Sequence, residues 1–141
     1  MELNRGGEIG QKCWLEIPDH FDIIELDDFV IMPNHVHGII IIHDVGDVHG
    51  RPLRRQHMLL STVVQHYKAA VSKWVHRMGE SQFRWQRSFF DHIIRNDFSL
   101  FKIRTYIQNN PLKWEYDREN QNGISLANKN KFWGDFLREQ L

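Results

Sequence analysis

The stretch Phe29 to Ile42, reading FVIMPNHVHGIIII, constrains the fold of this chain more than any other. Its apolar flanks are β-branched or aromatic and Pro33-Asn34 interrupts them, which predicts two strands joined by a tight turn. Side chains alternate across a strand, so His35 and His37 share one face while Val36 points the other way. The run Ile39 to Ile42 shows no alternation, the pattern of a strand covered on both faces and central in its sheet. Two imidazoles on such a scaffold can share one ligand. A His-x-His at a strand start also occurs as a plain hydrogen-bonded pair, so a metal site there needs a third donor from elsewhere in the chain.

A chain of 141 residues, 41% hydrophobic and 26% charged, suits one globular domain with a real core. No apolar run reaches membrane-spanning length and the start lacks a secretory pattern, so the expectation is a cytoplasmic protein with no membrane partner. The single cysteine, Cys13, excludes an internal disulfide and a cysteine-rich zinc site, so any metal binds through His and oxygen. The net charge of zero hides a dipolar chain. Glu8 to Asp47 holds nine acidic residues against Lys12 alone, a balance of −8. Arg51 to Phe90 holds eight basic residues against Glu80 alone, a balance of +7. A phosphate-rich partner fits that second half, as does a plain solvated face.

In chain order, Ile9, Cys13 and Ile17 fall four apart and predict a covering helix from about Glu8, stopped by Pro18. Ile23, Ile24 and Leu26 lead into the hairpin, and His43 to Gln56 reads as an exposed loop. Met58 to Met78 carries apolar residues near a 3.6 period, a long helix whose Thr62 and Gln65 would form a capping box if it began late. Its outer face presents Lys68, Lys73 and Arg77 and no carboxylate, which suits a phosphate backbone. Phe83 to Arg95 (FRWQRSFFDHIIR) interleaves aromatic residues with Arg84 and Arg87. It reads as an extended segment and strand, of the kind that stacks bases and meets phosphates, or that packs a core with Phe89, Phe90, Ile93 and Ile94. Asn96 or Asp97 caps a further helix to about Asn109, with Leu100, Ile103 and Ile107 inward and Pro111 ending it. Tyr106 and Asn110, one turn apart, share a face of that helix. Phe132, Trp133, Phe136 and Leu137 suggest a short docking helix.

MPNHVHGI followed about seventy residues later by YIQNNP resembles the REP-associated tyrosine transposases of the single-tyrosine HUH endonuclease superfamily. The similarity also takes in LNRGGEIGQKCWLEIPDHF, HYKAAVSKWV and WQRSFFDHIIRN, and so covers the chain up to Asp117. It implies a domain over 1–117 and a tail over 118–141. It implies metal ligation by His35 and His37 with Asn110 as third ligand, and Tyr106 as catalytic nucleophile. A divalent ion, Mg²⁺ or Mn²⁺, would be the cofactor and would polarise a scissile phosphate. The reaction implied is nicking and rejoining of single-stranded DNA at hairpin-forming palindromic repeats, through a 5′-phosphotyrosine link and a free 3′-OH. Lys68, Lys73, Arg77, Arg84 and Arg87 are the expected nucleic-acid contacts, and the protein would act as monomer or homodimer.

The fold the resemblance implies is α+β, a ferredoxin-like antiparallel sheet with covering helices and a C-terminal tyrosine helix. The chain departs from it in one respect, because members of the family have a strand before the first helix and none is legible here. That missing strand would lie beside the strand of His35 and His37, and truncation upstream is the expectation. The competing function is a catalytically impaired relic that binds DNA hairpins. A His-based metallohydrolase is weaker, since no acidic general base lies near the pair in sequence.

Overall fold

The computed structural model describes residues 2–43, 53–116, 120 and 128. The elements run α1 (Arg5–Leu15), α2 (Ile17–His20), β1 (Ile24–Ile31), β2 (Val36–Ile42), α3 (Leu53–Arg77) and α4 (Asp97–Lys113), with a 3-10 turn over Trp114–Tyr116. The chain is thus α+β with a two-stranded antiparallel sheet among the described residues.

Helix α1 starts earlier than its apolar spacing predicts, because the Asn4 side chain accepts from the Gly7 amide at 2.8 Å and caps it. Pro18 does not stop a helix. It sits in the first turn of α2, where its missing N–H costs no bond. The hairpin forms where the sequence places it, closed by a Met32 amide that donates to the His35 carbonyl at 2.8 Å. Pairing runs from Ile24 opposite Ile42 to Ile31 opposite Val36, with one irregularity: Leu26 faces Ile40 and Phe29 faces Gly38, so Asp27 and Asp28 together oppose Ile39. That is a β-bulge, two residues on one strand against one on the other.

One face of the hairpin packs on α1 and α3. Trp14, Ile17, Val63, Tyr67, Val71 and Val75 are buried there, with Leu26, Phe29, Val36 and Ile40 packed against them. Trp14 meets Tyr67 edge-on at 5.2 Å between centroids and stacks on Phe29 at 5.8 Å. Each fully buried aliphatic of this set contributes on the order of 1.5–3 kcal/mol. Helix α3 is longer than expected and begins at Leu53, which leaves Thr62 and Gln65 well inside it and removes the capping box. The other face of the hairpin carries His37 and the buried Ile39, and α4 lies over it. The expectation of a central strand is not met among the described residues: Ile39 is buried, but Ile40, Ile41 and Ile42 are half-buried and line an open groove, and β2 has β1 as its one strand neighbour.

Two further expectations are corrected here. Residues 83–95 form no strand; they run without regular secondary structure, with a bend at Arg87 and Ser88. The cause lies in α3: Lys68 Nζ donates to the carbonyls of Gln86 at 3.1 Å and Ser88 at 2.7 Å, and Trp85 Nε1 donates to the Lys68 carbonyl at 3.0 Å. These bonds tie the segment to α3, and Ser88, at φ 65°, turns it out of the extended region. Pro111 does not end α4. It lies within the last turns of a helix that runs to Lys113, so only the bond its nitrogen would make to Ile107 is given up. Asn96, one of the two expected caps, takes the role, its side chain accepting from Ser99 at 2.8 Å. The loop over 44–52 and the docking residues Phe132, Trp133, Phe136 and Leu137 lie outside the described residues, as does the proposed boundary at Asp117.

Candidate active site

His35 and His37 flank the start of β2, and their rings meet edge-on at 4.7 Å between centroids. Asn34 Oδ1 bonds the His35 Nδ1 and so orients that ring. The pleat turns His37 toward α4, where its ring lies 5.3 Å from that of Tyr106. Residues 35, 37 and 106, far apart in the chain, thus converge across the hairpin–helix boundary. Tyr106 is 38% exposed, open enough for a large substrate to reach its hydroxyl. Lys113 Nζ stands 5.4 Å from the Tyr106 ring, and burial pushes its ammonium below the usual lysine range. A cation there offsets negative charge arriving at the phenol.

Asn110 is buried at 6% exposure on the same helix, and its Nδ2 has no hydrogen-bond partner among the described residues. Amide O and N are interchangeable by a flip about χ2, so the same side chain can offer its oxygen instead. Among the described residues no three His, Cys, Asp or Glu side chains gather into a metal cage. A divalent ion held by His35 and His37 would therefore draw its further ligands from an amide, solvent or substrate oxygens. His35 and His37 fit that donor set, and Asn110, the expected third ligand, is buried on α4 one turn beyond Tyr106.

What fixes α4 over the hairpin was not legible as a site. Arg104 forks onto Asp27, its Nε donating to Oδ1 at 2.9 Å and its Nη2 to Oδ2. Four residues on, Gln108 Nε2 donates to Asp28 Oδ2 at 2.7 Å. The guanidinium holds the Asp27 carboxyl below the usual carboxylate range. The signal existed: an Asp-Asp pair breaks the alternation of a strand, and Arg104 and Gln108 share a helix face.

The expected nucleic-acid contacts divide. Lys73 and Arg77 are exposed on α3, with Arg77 5.3 Å from the ring of the half-exposed Trp74. Arg87 is also exposed. Lys68 is committed to the Gln86 and Ser88 carbonyls, and Arg84 donates to the carbonyls of Ser81 at 2.8 Å and Phe83 at 2.7 Å. A groove of about 1900 Å³ runs along β2, lined among others by His35, His37, Ile41, Val71, Trp85 and Arg104.

No protein-family model matches the chain, and no solved structure matches it. Over 128 residues it is 39% identical to an uncharacterized protein of Haemophilus influenzae, a match that covers 84% of this chain and 71% of that protein.

Proposed function

The chain belongs to the family of that Haemophilus influenzae protein, and we propose that it is a metal-dependent single-strand DNA transesterase of the REP-associated tyrosine transposase kind. The observation that carries the reading is the contact between His37 and Tyr106 at 5.3 Å, with His35 at 4.7 Å from His37. Nothing in the packing of a core requires a His-x-His pair and a half-exposed phenol to meet.

Tyr106 supplies the nucleophile. Its oxygen attacks a backbone phosphorus, the P–O3′ bond breaks, and the departing 3′-oxygen takes up a proton as the phenol gives one up. The 5′-phosphotyrosine conserves the energy of the phosphodiester, so attack by the 3′-OH restores the strand and the phenol without ATP. An ordinary tyrosine, with a pKa of about 10, is a weak nucleophile at neutral pH, so positioning must supply much of the rate. His35, His37 and Asn110 would hold Mg²⁺ or Mn²⁺, which when bound polarises the scissile phosphate. Lys73, Arg77 and Arg87 are available for phosphates of a hairpin-forming repeat, and the groove along β2 is open to a single strand.

In this reading the two described strands and the helices over both faces are part of a ferredoxin-like sheet, with α4 as the tyrosine helix. A second reading, a hairpin-binding relic without catalysis, draws on the outer edge of β2, which has no strand partner among the described residues. The experiment that separates them incubates the protein with a labelled single-stranded repeat hairpin and Mn²⁺, with and without chelator. A metal-dependent, denaturant-resistant protein–DNA adduct is expected; hairpin binding with no adduct at any metal concentration would favour the relic.

A further inference from the structure

The bulge in β1 does something that a regular strand does not. Adjacent residues of a strand point to opposite faces, so in unbroken pairing only one of Asp27 and Asp28 would address α4. With both set against the single residue Ile39, both carboxylates face the helix and both are taken up by it. Asp27 receives the two-pronged guanidinium of Arg104 and Asp28 the amide of Gln108. The acceptors are adjacent on the strand and the donors one turn apart on the helix, so together they fix α4 against both sliding and rotation. Tyr106, two residues from each donor, projects from the opposite flank of α4, so the grips on one side of the helix set where the phenol falls on the other. The Asp27 side chain is 11% exposed and that of Arg104 41%, so this pair sits at the edge of the seam, and Gln108 lies outside it at the surface.

We infer that the Asp27–Asp28 bulge is a positioning device for the Tyr106 hydroxyl, with Arg104 and Gln108 as its grips. Their hydrogen bonds run between α4 and β1, so they act through the register of that helix on that strand. An error of one helical residue would rotate Tyr106 about 100° away from His37. Overpacking does not hold the register instead, because α4 buries only Ile107 and Asn110 and leaves Phe98, Phe101 and Leu112 exposed. A helix with so narrow a buried stripe depends on directional bonds for its placement.

The inference rests on the transesterase reading for its consequence, but its geometry can be measured without catalysis. Two readouts on the full chain are compared between parent, Asp27→Asn, Arg104→Lys and Gln108→Ala. The first is the rate of adduct formation at saturating hairpin DNA with Mn²⁺. The second is the NMR shift of the His37 ring protons, which the Tyr106 ring current displaces, assigned by comparison with His37→Gln. Asp27→Asn is expected to slow adduct formation by at least about tenfold with hairpin affinity unchanged within about twofold, and Arg104→Lys, which also keeps the cation in the groove lining, to slow it as much when compared at saturating DNA. They should also move the His37 shift toward that seen in Tyr106→Leu. Gln108→Ala should do the same to a smaller degree. If the parent forms no adduct, the transesterase reading fails and the His37 shift alone decides the clamp. Variants that fold, keep the parental His37 shift and react at the parental rate would overturn it.

Discussion

The indole of Trp14 lies flat against the backbone of Gly38, so close that a Cβ built on Gly38 falls 2.7 Å from Cη2 and 3.0 Å from Cε2. Glycine is required there for space rather than for backbone freedom. Gly38→Ala is expected to destabilise the protein by about 1–3 kcal/mol, because neither the buried indole nor the paired strand can yield without loss of packing. Because Gly38 follows His37 directly, the same change should displace that imidazole from Tyr106. Urea unfolding measures the first effect. In a Trp14→Phe background the cost of Gly38→Ala should shrink, and an unchanged cost would place the clash elsewhere.

His35→Ala and His37→Ala should each lower metal-dependent cleavage by about 100-fold or more while leaving hairpin affinity nearly intact, since ligands and phosphate contacts are separate residue sets. Asn110→Ala should be milder in the presence of excess metal, because water can replace one neutral oxygen ligand. Titration of activity against Mn²⁺ reads both. Full cleavage in either histidine variant removes the metal assignment.

How much of this was legible follows from what each signal depends on. The hairpin, the long α3 and the cap at Asn96 are local, written in apolar period and capping chemistry, and they formed. The pairing of Tyr106 with His37 is not local; it is implied only by the family resemblance that the two motifs carry. Residues 83–95 read as a strand because aromatic and β-branched residues favour one. The competing bonds from Lys68 and Trp85 come from α3, which no window of that segment contains. The bulge was missed for a similar reason. Asp27 and Asp28 look like solvated strand residues until Arg104 and Gln108 are known to lie above them.

The Asp27 carboxyl is held low by Arg104, which fixes the sign of its pH dependence. A group whose pKa is depressed in the folded state contributes stability that is fully present above its unfolded value, about 3.9, and is lost as pH falls through the folded value. The stability difference between the parent and Asp27→Asn should therefore be constant near neutrality and shrink below about pH 4. Urea midpoints for the two proteins at pH 7 and pH 3 test it. A difference that stays the same at both values would mean that the pair does not hold in solution.

The basic residues of α3 should separate into two behaviours. Lys73 and Arg77 are exposed, so neutralising both should weaken DNA binding and reduce the slope of log affinity against log salt by about 0.7 per lost phosphate contact. Lys68 is engaged with the Gln86 and Ser88 carbonyls. Lys68→Ala should loosen the 83–95 segment, seen as faster amide exchange there, with a smaller change in salt slope. A salt slope that falls only with Lys68→Ala would move the DNA path from the outer face of α3 to the groove beside it.

Tyr106→Phe removes one hydroxyl and should abolish the covalent adduct while leaving fold and hairpin affinity at parental levels. The chain has two other tyrosines, and the structure argues against one of them directly. Tyr67 is 4% exposed, its hydroxyl donates to the Gly10 carbonyl at 3.1 Å, and burial pushes its phenol well above the usual range. It can neither reach a phosphodiester nor lose its proton at neutral pH. Tyr116 lies half-buried in the 3-10 turn after α4, whereas Tyr106 is the tyrosine whose ring meets His37. The expected order is thus no adduct in Tyr106→Phe and parental adduct in Tyr116→Phe. Tyr67→Phe should form adduct normally but melt earlier, by about 1 kcal/mol for the lost hydrogen bond. Peptide mapping of the DNA-linked protein identifies the attached residue independently of mutation. A label on Tyr116, or an adduct that survives Tyr106→Phe, would require a different nucleophile and with it a different reading of the His37–Tyr106 contact.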